Sequence, residues 1–165
     1  MTSPWPRLSR AARGLSTGAS EWQDREMELG PGSYNFDDLA TGAWFHTAWC
    51  RVTQDAVARF SALTGIPVEG AAPPLLVLSL VEGAKQSGPV QITAELLRGW
   101  RVDPETPVQP GAQVRGRYEV TALRRRLLTL GLRIETEDGA TALTGEAQLV
   151  LARALRPAPT TPPTD

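Results

Sequence analysis

The sequence predicts an α+β fold in which a curved antiparallel sheet wraps one long central helix. Three observations carry this reading. Residues 75–86 (LLVLSLVEGAKQ) are apolar on nearly every side and follow Pro73-Pro74; proline is tolerated in a helix's first turn, so a helix enclosed by protein begins there. Further on, Tyr118, Val120 and Ala122 alternate with Arg117, Glu119 and Thr121, and Leu128, Leu130, Leu132 and Ile134 alternate with Thr129, Gly131, Arg133 and Glu135. Strands with one buried and one wet face read this way. Arg124-Arg125-Arg126 lies at the connection between these two strands, and Glu137-Asp138-Gly139 makes a tight turn into a last strand over residues 141–152.

The elements ahead of the central helix follow from local signals. Residues 1–33 hold Arg7, Arg10 and Arg13 with no acid before Glu21 and no apolar core of a secretory signal, and read as a flexible or loosely docked arm. Residues 35–42 (NFDDLATG) are turn-rich, and WFHTAWCRVT reads as a strand with both faces occupied. Thr53 caps a short amphipathic helix with Asp55 in its first turn, an apolar stripe of Val57, Phe60, Ala62 and Leu63, and Gly65 as its stop. After the central helix, Ser87-Gly88-Pro89 ends it, and residues 90–102 form a strand with Gly99 as a bulge. The three prolines of DPETPVQPG mark a loop, and the Pro- and Thr-rich residues 155–165 read as a solvated, disordered tail. The globular unit is therefore expected over residues 34–154. A sheet of this kind leaves one edge free, and pairing two copies along it would give a dimer.

Composition narrows the function. The 165 residues make a single domain of 17.8 kDa with a net charge of −1 and a pI near 5.9, without the basic footprint of a nucleic-acid binder. One cysteine (Cys50) and one histidine (His46) leave no internal disulfide and too few soft ligands for a structural zinc. No metal and no cofactor are expected, and a reducing, cytoplasmic setting fits. The longest apolar run, residues 73–81, is about half the length that spans a bilayer.

Four segments, FDDLATG, VTQDAVARFSALTG, AAPPLLVLSLVEG and RVDPETPVQPGAQVRGRYEV, taken in their order and spacing, resemble the MaoC-like branch of the hotdog superfamily. The branch comprises (R)-specific enoyl-thioester hydratases and 3-hydroxyacyl-thioester dehydratases. The resemblance runs from about Phe36 to Leu151, and Val108-Gln109-Pro110-Gly111 ahead of a strand is its most distinctive piece. It implies a hotdog fold, an acyl thioester of coenzyme A or acyl carrier protein as ligand, and a homodimer or a heterodimer with a homologue. Catalytic relatives follow the helix-ending glycine with D-x-N-P-x-H, one residue holding and polarising water and the other moving a proton beside the thioester carbonyl. Counted from Gly65, the acid's position here is Ile66 and the histidine's is Ala71. Each missing group costs on the order of 10²–10⁴ in rate. The resemblance also implies backbone N–H donors for the thioester oxygen at the start of the central helix. Here that place is Pro73-Pro74, so Pro74 borders the substrate without an N–H, while Leu75 and Leu76 keep theirs.

Other residues could carry chemistry. Glu82, on the predicted central helix among apolar neighbours, could serve as the carboxylate of a hotdog thioesterase, or could lie on an exposed last turn. Glu69 could approach the missing acid's place or sit in solvent. His46 lies between aromatics on a strand, Trp100 could line an acyl tunnel or belong to the core, and Cys50 has no activating base. Arg124–Arg126 could face coenzyme A phosphates or an acidic carrier protein, although such a run is ordinarily a solvated turn. The expected function is a dyad-deficient subunit of a dehydratase or hydratase in lipid or polyketide metabolism, paired with a catalytic homologue. The alternatives are an enzyme with different chemistry in the same pocket, such as a Glu82 thioesterase or a polyketide-tailoring enzyme, and a non-catalytic scaffold.

Overall fold

The computed structural model describes residues 27–151. The expected arm up to residue 26 and the tail over 155–165 lie outside the described residues. In order, the elements are β1 (Met27–Glu28), β2 (Gly32–Tyr34), a 3-10 turn (Phe36–Asp38), β3 (Ala43–His46), β4 (Cys50–Arg51), α1 (Gln54–Thr64) and α2 (Pro74–Gln86). Then come β5 (Val90–Ile92), β6 (Ala94–Pro104), β7 (Gln113–Arg124), β8 (Leu127–Thr136) and β9 (Thr141–Leu151).

The large sheet has the order β1-β3-β7-β8-β9-β6, with β4 also on β7. Apart from the parallel β1–β3 pair, its neighbours are antiparallel. Alternation decides which side faces in. Val114, Tyr118 and Val120 of β7, Leu128, Leu130 and Ile134 of β8, and Leu143, Ala147 and Leu151 of β9 are almost fully buried. They meet Leu76, Val77, Leu78 and Val81 of α2 in one core. Burying each such side chain stabilises by about 1.5–3 kcal/mol, which makes the helix–sheet contact the dominant favourable contribution to the fold.

α1 begins as its sequence requires: the Ala56 N–H donates to Thr53 Oγ1 at 3.1 Å, and Gly65 ends the helix at φ 70°. Its stripe is narrower than expected. Val57 is buried and Phe60 half-buried, but Leu63 is 87% exposed because the helix touches the rest of the protein along one line only. α2 is likewise covered on one side, not all round: Leu75, Ser79 and Gly83 form an exposed line along it. The strand expected over WFHTAWCRVT is two short strands. Thr47 breaks it by accepting the Gly116 N–H on its hydroxyl at 3.0 Å while its own N–H donates to the Gly116 carbonyl at 2.9 Å.

The strand expected over residues 90–102 also divides. β5 leaves the main sheet to pair in parallel with β2, and the register of β6 on β9 slips between Leu97 and Gly99, where the bulge was expected. Among the described residues, Met27–Glu28 and Gly32–Tyr34, ahead of and at the expected start of the globular unit, are already paired as strands.

α2 approaches β7 closely at Gly116, where an added Cβ would lie 2.5 Å from Val81 Cγ1 and 2.9 Å from Tyr118 Cε2. Gly116→Ala should therefore destabilise the protein by about 1–3 kcal/mol, as overpacking does in a filled core. Urea unfolding of the two proteins measures this as a lower midpoint at unchanged slope.

Candidate functional site

Residues 66–74, between α1 and α2, form one wall of a cavity of about 410 Å³. The segment is held at both ends. Ser61 Oγ donates to the Ile66 carbonyl at 2.7 Å, and the Ala72 N–H donates to the Val108 carbonyl at 2.7 Å, a bridge to the loop between β6 and β7. That loop and the start of β9 supply the opposite wall. Ile66, Ala71 and Pro74 all border the cavity, as does Val77 on the next turn of α2. The lining is mainly apolar, with two carboxylates, Glu69 and Glu105; Glu105 Oε1 accepts a hydrogen bond from Thr144 Oγ1 at 2.9 Å.

The helix start offers little to an oxyanion. Pro73 and Pro74 have no N–H, and the N–H groups of Leu76 and Val77 both donate to the Pro73 carbonyl, at 2.9 and 3.1 Å. Within this first turn Leu75 is left with an N–H that makes no backbone hydrogen bond. The Leu75 side chain is exposed and Leu76 is buried in the core. Trp100 lies away from the cavity, its ring 5.9 Å from Lys85 Nζ.

Glu82 is neither an isolated buried acid nor an exposed one. Tyr118 Oη donates to its Oε1 at 2.5 Å and Lys85 Nζ donates to its Oε2 at 2.7 Å, with Lys85 also 5.0 Å from the Tyr118 ring centre. The Glu82 and Lys85 side chains are 22% and 13% exposed and Tyr118 is fully buried. Burial, and then the charge and hydrogen bond of Glu82, push the Tyr118 hydroxyl far above the usual tyrosine range. Both carboxylate oxygens are thus engaged by donors between helix and sheet, and Glu82 is not at the cavity. Sequence reasoning singled out Glu82 without Tyr118 and Lys85. The available signals were the three-residue spacing of Glu82 and Lys85 on one helix face and the inward phase of Tyr118 on β7.

His46 is on the outer face of β3, edge-on to Trp44 at 5.1 Å, with the Arg117 guanidinium 4.8 Å from the Trp44 ring. Burial first, and then the Arg115 charge, lower its pKa. It does not border the cavity. Cys50 donates to the Val114 carbonyl at 3.3 Å, and burial raises its thiol pKa. Neither belongs to the site.

The architecture is that of solved hotdog proteins. An (R)-hydratase from A. caviae involved in PHA biosynthesis is 29% identical, with a TM-score of 0.59 over 69% of this chain and 98% of that one. This chain has a MaoC-like hotdog fold. The R-hydratase PhaJ1 from Pseudomonas aeruginosa superposes with a TM-score of 0.64 at 16% identity, over 79% of this chain and 96% of that one. The MaoC-like dehydratase from Rhodospirillum rubrum gives 0.61 at 18%, over 74% and 99%. No protein-family model matches the sequence, and comparison with curated proteins gives no match. No helix among the described residues is long and apolar enough to cross a membrane.

Tyr118 generates a pH prediction. Its pKa is raised on folding, so the contribution of its hydroxyl is fully present below the ordinary tyrosine value of 10.0 and is lost as pH rises above it. Tyr118→Phe should cost about 1–3 kcal/mol at pH 8, because Glu82 Oε1 loses its donor. The gap between the two proteins in denaturant unfolding should close as pH is raised past 10.

Proposed function

We propose that this protein is an acyl-thioester-binding hotdog subunit, a dyad-deficient partner of a (3R)-hydroxyacyl-thioester dehydratase or enoyl hydratase. The observation that carries the reading is the character of the cavity. It occupies the place that the MaoC-like resemblance gives the active site, between the segment after α1 and the start of α2. Its acid and histidine positions hold Ile66 and Ala71, and a proline pair stands where backbone donors would. Such a lining suits an acyl chain, and its carboxylates, Glu69 and Glu105, have no histidine beside them to complete an acid–base pair. A catalytic homologue would provide the acid and the base, while this chain completes the dimer and shapes the tunnel.

The free side of β6 supports pairing. Among the described residues it is the last strand on its side of the sheet, eleven residues long, and carries Leu96 and Leu97 exposed at 58% and 48%. A long apolar edge strand is a template for a second chain. The Glu82 thioesterase alternative loses support from the engagement of both carboxylate oxygens away from the cavity.

Co-expression with a dyad-bearing homologue tests the reading. A stable mixed dimer with higher hydratase turnover than the homologue alone is expected, and an exclusive homodimer without effect on the homologue would sink the proposal. Within the chain, Ala71→Trp should fill the cavity mouth and weaken acyl-thioester binding by about tenfold or more while leaving thermal stability within a few degrees, as measured by titration calorimetry and melting.

A further inference from the structure

The β7–β8 hairpin carries more positive charge than the fold uses. Of its three arginines, Arg126 is structural: its Nε donates to the Leu151 carbonyl at 2.9 Å and its Nη2 lies 2.5 Å from Glu95 Oε2, tying the hairpin to the end of β9 and the start of β6. Arg124 and Arg125, together with Arg98 from β6, are exposed around a shallow depression of about 400 Å³ whose apolar floor includes Leu127 and Val150. Among the described residues these three side chains make no hydrogen bond or ion pair. Gathering guanidinium groups without counter-ions is unfavourable. In addition, Arg125 occupies the left-handed region at φ 57°, where glycine or asparagine would sit without strain. A purely structural two-residue turn needs neither feature.

We infer that Arg98, Arg124 and Arg125 form a phosphate-binding site for the nucleotide that carries the acyl thioester. Guanidinium forks match phosphate oxygens with paired hydrogen bonds, and the apolar floor suits the flat face of a base. A concave, partly apolar site favours a small ligand over the flat surface of an acidic protein. The fold also explains how so distant a patch would serve the cavity. Along β6, Arg98 and the cavity-lining Pro104 are about 20 Å apart at a strand's rise per residue. If β6 pairs antiparallel about Gly99 with the same strand of a second hotdog subunit, Ala94 of one faces position 104 of the other, and the arginine-bearing end of one edge strand lies against the cavity-bearing end of its mate.

The identity of the nucleotide as a thioester carrier rests on the proposed function, whereas the arginine site does not. Titration calorimetry with the full chain, using adenosine 3′,5′-bisphosphate, coenzyme A and inorganic phosphate, separates the two. Saturable binding of the bisphosphate and of coenzyme A, much tighter than inorganic phosphate and weakened by salt, is expected. Arg98→Ala/Arg124→Ala should reduce it by about tenfold or more, and Arg59→Ala, a surface arginine on α1 away from the depression, should leave it unchanged. Arg125→Gly, which relieves the turn and so folds at least as well as the parent, should also weaken it. Unaltered affinity in the arginine variants would overturn the site. So would equal binding of inorganic phosphate, or binding of acidic proteins alone. Bisphosphate binding without acyl-thioester binding would uphold the site and reject the acyl reading.

Discussion

The close approach of α2 to β7 at Gly116 is the constraint on which the rest of the structure depends. Only the absence of a side chain there lets Val81 lie against the sheet. That contact sets the depth at which the helix sits, and so which residues of β7, β8 and β9 can reach it. The same glycine is bonded through its N–H to the Thr47 hydroxyl, and the Thr47 N–H returns to its carbonyl. One position thus fixes the helix from inside the sheet and breaks β3 from β4 at its edge. The cavity is a consequence: because α2 is anchored at Val81, about two turns past its start, its first turn projects beyond the core and leaves space beneath the segment 66–74.

Charge reinforces the same contact. Lys85 is the only lysine in the chain, and it closes a network with Glu82, Tyr118 and the Trp100 ring where helix and sheet meet. A carboxylate inside a domain needs its oxygens engaged, and a phenol buried beside it needs an acceptor; each satisfies the other. An arrangement so complete fastens an element in one orientation. It also leaves no lone pair aimed at a ligand, which is why a carboxylate on the central helix is compatible here with a structural role.

How far the sequence spoke depended on the kind of signal. Alternation at residues 117–120 and 128–134 and the proline-led apolar run at 75–86 announced the meander and the helix, because burial on one face imposes a period that survives in composition, whereas the slip after Val120 that leaves Ala122 exposed left no such trace. Thr53 and Gly65 marked the ends of α1 by backbone chemistry alone. What was not legible depended on partners far away in sequence. The break at Thr47 needs Gly116, the departure of β5 from the main sheet needs β2, and the exposure of Leu63 depends on what α1 fails to touch. At the site, the family resemblance pointed to Ile66, Ala71 and Pro74 together, and all three border one cavity. The hydrogen bond from Tyr118 to Glu82 could not be foreseen, since Tyr118 lies 36 residues away on another element.

The proline pair shows how one local choice alters several levels together. Pro73-Pro74 is a good helix start because its missing donors would be orphans of the first turn in any case. At a site that must bind a developing oxyanion those same donors are the useful ones. The remaining first-turn groups do not compensate, because Leu76 and Val77 both turn back onto the Pro73 carbonyl. Of the first-turn groups only the Leu75 N–H makes no backbone hydrogen bond, so the helix entry keeps one donor where residues other than proline would add two more. Together with aliphatic residues at positions 66 and 71, this makes the cavity wall mainly apolar, with Glu69 and Glu105 as its carboxylates. The chain's unspent polarity lies at the other end of the edge strand, in the arginines. The apolar cavity and the arginine cluster thus stand at opposite ends of one edge strand, and in the proposed function the first would take the acyl chain and the second the phosphates of its carrier.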